Sequence, residues 1–315
     1  MKNRKLAKAA QIVIRDCLAV KPKEKVVIVT DDLCYEVGYA IREELRSITD
    51  PILINILPRK IHGEEPPPLV AQAIKDCDVF IMPTSRSLTH TKARIEANKN
   101  GARGATLPGI TVEVMERSLC ADYRQIALLT KKMTRLLSQA KKALIRTKLG
   151  TDLTLDLTLR RGFPDTGTIT KPGAFSNLPG GEAYIAPIER KSKGTIVVDG
   201  SFAPIGFLHE PVILEIKNGE LIKINGNKKI REIFGRYGKH ERTLCEFGIG
   251  TNKQAKITGN VLEDEKVLGS IHVAFGNNLG FGGQNRARIH LDAVITKPSV
   301  WLDNRMIIAS GKLLI

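Results

Sequence analysis

His290 and Asp292 stand one residue apart in the stretch ARIHLDAVITKP (287–298). In an extended strand, residues two apart share a face, so an imidazole and a carboxylate would project side by side. Three further segments place polar side chains in apolar or glycine-rich surroundings. NLPGGEAYIAP (177–187) presents Glu182, TLCEFGIGTN (243–252) presents Glu246, and GSIHVAFGNN (269–278) presents His272. Each has an ordinary reading alone, as a solvated Glu or a hydrogen-bonded core His. Together they supply two imidazoles and three carboxylates, a donor set suited to Zn²⁺, Co²⁺, Mn²⁺ or Fe²⁺. Five such ligands suffice for two divalent ions sharing a carboxylate and a water. That arrangement activates water and polarises a carbonyl together.

The elements that must position these residues fall into two textures. KVVIVT (25–30), PILINILP (51–58) and DVFIMPT (78–84) read as short buried strands. They alternate with helical patterns at 34–48, 70–77 and 89–102. Such alternation predicts an α/β domain with a parallel sheet flanked by helices, Rossmann-like in layout, over residues 1–149. The first strand is followed by TDD rather than a G-x-G-x-x-G turn, so no dinucleotide is expected. Residues 124–149 carry apolar residues at helical spacing and predict one long basic helix. Residues 150–315 change to alternating segments and Gly, Asn and Asp turns, predicting a β-rich domain that carries the metal site. Within it, LEIKNGELIKI is a hairpin signal because Asn-Gly suits a primed two-residue turn.

The formal net charge is +16, and Lys131, Lys132, Arg135, Lys141 and Lys142 supply part of the excess. Aromatics make up only 5% and no nucleic-acid module is recognisable, so a solvated face is favoured over a nucleic-acid surface. No apolar run is long enough to cross a membrane. The five cysteines are scattered without a C-x-x-C pair, which fits a reduced, cytoplasmic setting.

In order, NLPGGEAYIAP, LCEFGIGTN, NVLEDEKVLGSIHVAFGNN and GGQNRARIHLD resemble the metal-binding segments of the aminopeptidase T family. SLTHTKARIEANKNGARGATLPGIT extends the resemblance into the first domain. It implies a metallo-aminopeptidase-like hydrolase, acting on a peptide or other small amide, with two ions held by Glu182, Glu246, His272, His290 and Asp292. It also implies a homodimer. One position departs. The family carries a Tyr seven residues after the His ligand, and Leu279 stands there. Leucine donates no hydrogen bond, and losing a donor of the oxyanion type typically lowers a rate by about 10²–10³. Asn277, Asn278, Tyr184, Arg288 or His90 are the candidates to replace it. Arg86, His90, Arg94 and Arg103 are candidates to receive a substrate anion. Glu263, Asp264 and Glu265 read as a solvated acidic turn.

The ring-cleaving 2,5-dihydroxypyridine dioxygenases are a more distant branch of the same resemblance. They imply a single Fe(II) held by two His and one Asp. That pattern keeps the H-x-D pair but has a His at the position of Glu246 and no carboxylate at that of Glu182. A third reading is a basic binding protein with a vestigial metal site.

Overall fold

The computed structural model describes residues 3–315, which form two compact units. One comprises residues up to Ala127 together with Asp165–Gly180; the other comprises Leu128–Pro164 and Gly181–Ile315. The expected junction at 149/150 lies inside the second unit, in the turn between two paired strands.

The first unit is built on a five-stranded parallel sheet. Its order is Ile52–Ile56, Val26–Asp31, Val79–Met82, Arg103–Thr106 and Phe175–Asn177. Successive residues of a strand face opposite sides, and in Val26–Asp31, Val79–Met82 and Arg103–Thr106 both sides are buried. Val26, Ile28, Val79 and Ile81 join a cluster with Leu6, Val37, Ile41 and Val114. Val27, Val29, Phe80 and Met82 join another with Val70, Ile74, Ala93 and Ala97. Continuous apolar strands therefore sit between two helical layers, as their composition predicts.

The second unit pairs an eight-stranded antiparallel sheet with a seven-stranded one. One apolar core joins them. Leu153, Leu155, Ile196, Val198 and Leu214 of the first sheet meet Phe247, Ile249, Ile271, Val273, Phe275 and Ile295 of the second. The α/β and β-rich halves predicted from the alternation are thus both present.

The long basic helix is shorter than predicted. It ends at Gln139, and Lys142–Arg146 is a strand paired with Asp152–Asp156. Ala143 and Ile145 are buried while Lys142 and Arg146 are exposed, so the period has already changed from helical to two-residue. Lys131, Lys132, Arg135, Lys141 and Lys142 are all exposed. The Asn-Gly hairpin is present between Val212–Lys217 and Glu220–Asn225. Asn218 and Gly219 have φ of 51° and 71°, the signs the primed turn requires.

Candidate metal centre

Four strands of the seven-stranded sheet carry the expected donors: β1 (Glu182–Ile185), β2 (Leu244–Gly250), β3 (Ile271–Gly276) and β4 (His290–Ile295). They lie side by side, all antiparallel. The register decides which side chains share a face. Glu246 pairs with Ala274, which pairs with Asp292; Tyr184 pairs with Gly248, which pairs with His272; Gly276 pairs with His290. Cross-strand partners project to one side, and residues two apart along a strand do the same. Glu182, Glu246, His272, His290 and Asp292 therefore occupy a single face. The opposite face, with Phe247, Val273 and Phe275, is the core.

The positions between the donors are small, and this is what lets the donors converge. A Cβ on Gly248 would lie 2.0 Å from the His272 ring. A Cβ on Gly250 would lie 2.1 Å from the Val267 carbonyl oxygen, so only glycine admits the 266–267 backbone over the sheet. Ala274 separates Glu246 from Asp292 across β3. Polar side chains thus meet above a floor of glycine and alanine.

Two groups result, each with ligand atoms within 4.8 Å of one another: Glu246, His290 and Asp292; and Glu182, Glu265 and His272. His290 Nε2 is 3.1 Å from Glu246 and 3.4 Å from Asp292. Its Nδ1 is 2.9 Å from the Asn277 carbonyl oxygen, to which it donates when Nε2 carries the lone pair. A backbone carbonyl behind the ring is the support that orients a metal-ligating imidazole. The oxygen–nitrogen–oxygen donor set, its proximity and this support all fit a divalent ion. His272 Nε2 is 3.3 Å from Glu182 and 3.4 Å from Glu246, so Glu246 reaches both imidazoles.

Glu265 and Lys266 were not expected here. The turn NVLEDEK folds inward. Glu263 and Asp264 are fully buried and accept backbone N–H groups of Lys256, Thr258 and Gly259, which corrects the expectation of a solvated acidic turn. With that loop tied down, Lys266 is delivered onto the sheet face at 1% exposure. Its Nζ lies 2.5 Å from Glu182 and 2.6 Å from Glu265. A charged run gives no periodic sign of burial. The one available signal was Gly250, whose missing side chain marks a close backbone approach.

The electrostatics follow from this crowding. Burial alone would push the Glu246 carboxyl up, but hydrogen bonds from His272 and His290 hold it well below the ordinary range. Burial opposes a charge on His272, yet Glu182, Glu246 and Glu265 raise its pKa to about 9. Burial pushes Glu265 up; Lys266 opposes this, and Glu182 and Asp292 reinforce it. Four carboxylates on one buried face call for cations.

Exposure rises from one end of the centre to the other. The side chains of His272 and Lys266 are 1% exposed, whereas that of His290 is 30% exposed. At the open end Phe281 meets His290 edge-on at 6.0 Å and Tyr184 at 5.4 Å, and Phe163 stacks on Tyr184 at 5.9 Å. Tyr184 shares the row of His272 on the donor face.

The remaining candidates belong to neither donor group. Leu279 is exposed in a single turn of 3₁₀ helix. Asn278 is buried and donates to Glu189 and to the Cys245 carbonyl, holding the 277–289 loop rather than serving as a spare donor. Arg288 is exposed beside Glu241. Arg86 and His90 are exposed in the first unit. Arg94 donates to the Thr89 carbonyl and lies over the Phe175 ring. Arg103 is structural, a correction to its place among the anion receptors: its guanidinium is buried against Glu24 and the Leu18 and Ala19 carbonyls.

Comparison with known proteins bears on these groups. The NicX family, described as 2,5-dihydroxypyridine 5,6-dioxygenase, matches residues 59–315. The 2,5-dihydroxypyridine 5,6-dioxygenase of Pseudomonas putida is 24% identical over 260 residues, covering 77% of this chain and 73% of that protein. Aminopeptidase PepS of Streptococcus thermophilus is 26% identical over 218 residues, covering 61% of this chain and 52% of that protein. The solved 2,5-dihydroxypyridine dioxygenase of P. putida superposes with a TM-score of 0.82 at 18% identity, covering 100% of this chain and 98% of that one. Wild-type AmpT of Thermus thermophilus superposes with a TM-score of 0.74 at 16% identity, with full coverage of both. Both structures share the fold.

Proposed function

Because the chain belongs to the NicX, 2,5-dihydroxypyridine 5,6-dioxygenase, family, we propose that it is a metal-dependent oxygenase that opens a hydroxylated aromatic or N-heteroaromatic ring. The reading reverses the order of the two enzyme classes drawn from the sequence, where hydrolysis came first. The observation that carries it is the open end of the centre. There Glu246, His290 and Asp292 stand beside the rings of Phe281, Tyr184 and Phe163, a setting suited to a flat substrate. Glu246, His290 and Asp292 would hold the ion, with Fe(II) the choice for this chemistry. When bound, such an ion supplies the redox chemistry that couples dioxygen to ring opening.

The chain's own residues contribute orientation and exclusion. The Asn277 carbonyl fixes the His290 ring, and Glu246 reaches both imidazoles. The aromatic side chains offer a stacking surface and displace water beside the ion-holding group. With one imidazole and two carboxylates, the set is harder than two imidazoles and one carboxylate. Metallo-hydrolysis is the second reading. Its support is the Glu182–Glu265–His272 group, the material for a second ion.

The test is anaerobic loading with Fe(II), then addition of air-saturated buffer and 2,5-dihydroxypyridine or related hydroxylated rings. Oxygen uptake matched one-for-one by loss of ring absorbance supports the proposal. Cleavage of aminoacyl anilides by the Zn²⁺-, Co²⁺- or Mn²⁺-loaded chain, with no oxygen uptake on any ring, overturns it.

A further inference from the structure

The two groups of donors differ in one respect that their residue types conceal. Among the described residues, only the group at the closed end has a lysine inside it. Lys266 Nζ contacts a carboxylate oxygen of both Glu182 and Glu265, two of that group's three members. At 1% exposure it has no route to solvent without moving the backbone that Gly250 admits. That backbone is itself held: the Lys266 carbonyl accepts from Asn252 N–H and the Leu268 N–H donates to the Asn252 carbonyl. A divalent ion placed among Glu182, Glu265 and His272 would share both carboxylates with the ammonium and repel it at close range. No such conflict exists at Glu246, His290 and Asp292.

We propose that the Lys266 ammonium stands in the place of a second metal ion, so that this face, which has donors for two ions, holds one. The lysine is a positioning residue. It keeps Glu182 and Glu265 in place and confines the divalent ion to the open end, where a substrate reaches it. The inference rests on the reading of Glu246, His290 and Asp292 as the ion-holding group, and it deepens the oxygenase proposal by assigning Lys266 the role of excluding a second ion. It also accounts for carboxylates at the second group in a chain of this family: they are the counter-ions of a side chain.

The experiment is ion stoichiometry on the full chain. Metal-stripped wild type and Lys266→Met are saturated with Mn²⁺, dialysed, and assayed for manganese per chain, with low-temperature paramagnetic resonance as a second readout. Wild type is expected to bind one ion with the signal of an isolated Mn²⁺. Lys266→Met is expected to bind two, with the broadened signal of a coupled pair. In the wild-type background, Glu182→Gln should keep the single ion and Glu246→Gln should lose it. Two ions in wild type, or loss of the ion from Glu182→Gln, overturns the inference whether or not Lys266→Met folds. One ion in a folded Lys266→Met also overturns it, because the lysine would then not be what excludes the second. These outcomes are independent of ring opening, which is scored separately. A folded wild type that binds no ion removes the premise of both proposals.

Discussion

At the scale of single residues, Gly248 has the sharpest consequence. Its hydrogen stands where any side chain would meet the His272 imidazole at 2.0 Å. Overpacking of this kind typically costs about 1–3 kcal/mol. Gly248→Ala is therefore expected to lower stability by that amount in urea titration, and to weaken metal binding by displacing His272 and, through it, Glu246. Unchanged stability and affinity would mean that the imidazole swings aside freely, contrary to its burial. Strand alternation made His290 and Asp292 legible as a same-face pair. Glu182, Glu246 and His272 stood out as polar residues in apolar or glycine-rich segments, and their union in one ligand set is what the resemblance to the aminopeptidase T family implied. Glu265 and Lys266 were not, because nothing in E-D-E-K separates a solvated turn from one folded inward. That distinction lies in a tertiary contact, the capping of the loop by Glu263 and Asp264. Arg103 shows the converse: a charged residue in a conspicuous motif that satisfies backbone carbonyls instead of a ligand.

At the scale of elements, hydrogen bonds anchor the ends of structure that sequence patterns leave vague. Arg103, at the start of a central parallel strand, clamps the end of the N-terminal helical segment and is itself paired with Glu24. Burial pushes Glu24 up, but its bonds from Arg103 and Lys21 N–H win, and its pKa is lowered. A carboxylate with a depressed folded pKa stabilises above its unfolded value and loses that contribution as pH falls through the folded value. The stability gap between wild type and Glu24→Gln should thus be full at pH 7 and should close through and below the ordinary carboxylate range. A gap that stays constant to low pH would exclude the ion pair as its cause.

The 277–289 loop is the second anchored element. Asn285 N–H donates to Asn278 Oδ1 and Asn278 N–H to the Asn285 carbonyl, and Glu189 accepts from the Asn278 side chain and from Gln284 N–H. Asn278→Ala leaves these groups unpaired and should cost about 1–3 kcal/mol. Amide exchange across 279–284 should accelerate more than exchange in β3. Uniform acceleration would show that the loop is not held locally. Short strands and the Asn-Gly hairpin were readable because their chemistry is local. The helix end at Gln139 was not, because Leu144 continues an apolar spacing that suits either period, and only pairing with Asp152–Asp156 decides it.

At the scale of the whole molecule, the alternation of strand and helix over the first half and its loss over the second carried the fold class. Among the described residues no helix is long and apolar enough to cross a membrane. The net charge of +16 does not come from the centre, where four carboxylates outnumber one lysine; part of it sits on the exposed Lys131, Lys132 and Arg135 of the Tyr123–Gln139 helix. Ion binding should couple to folding, since the centre joins four strands of one core. A divalent ion at 100 times its dissociation constant is expected to stabilise the chain by about 2.7 kcal/mol, reversed by chelation. Thermal melts with and without metal measure this. A melting temperature indifferent to every divalent ion would mean that the donor face is satisfied by Lys266 and its own internal contacts alone.

The gradient from a sealed end to an open one also has a consequence for kinetics. An ion held by Glu246, His290 and Asp292 would exchange through the exposed side, on which a flat molecule would rest. A bound occupant would therefore act as a stopper, and chelators would strip the resting protein faster than the occupied one. Turnover would shelter the centre from loss of its metal, and idleness would expose it.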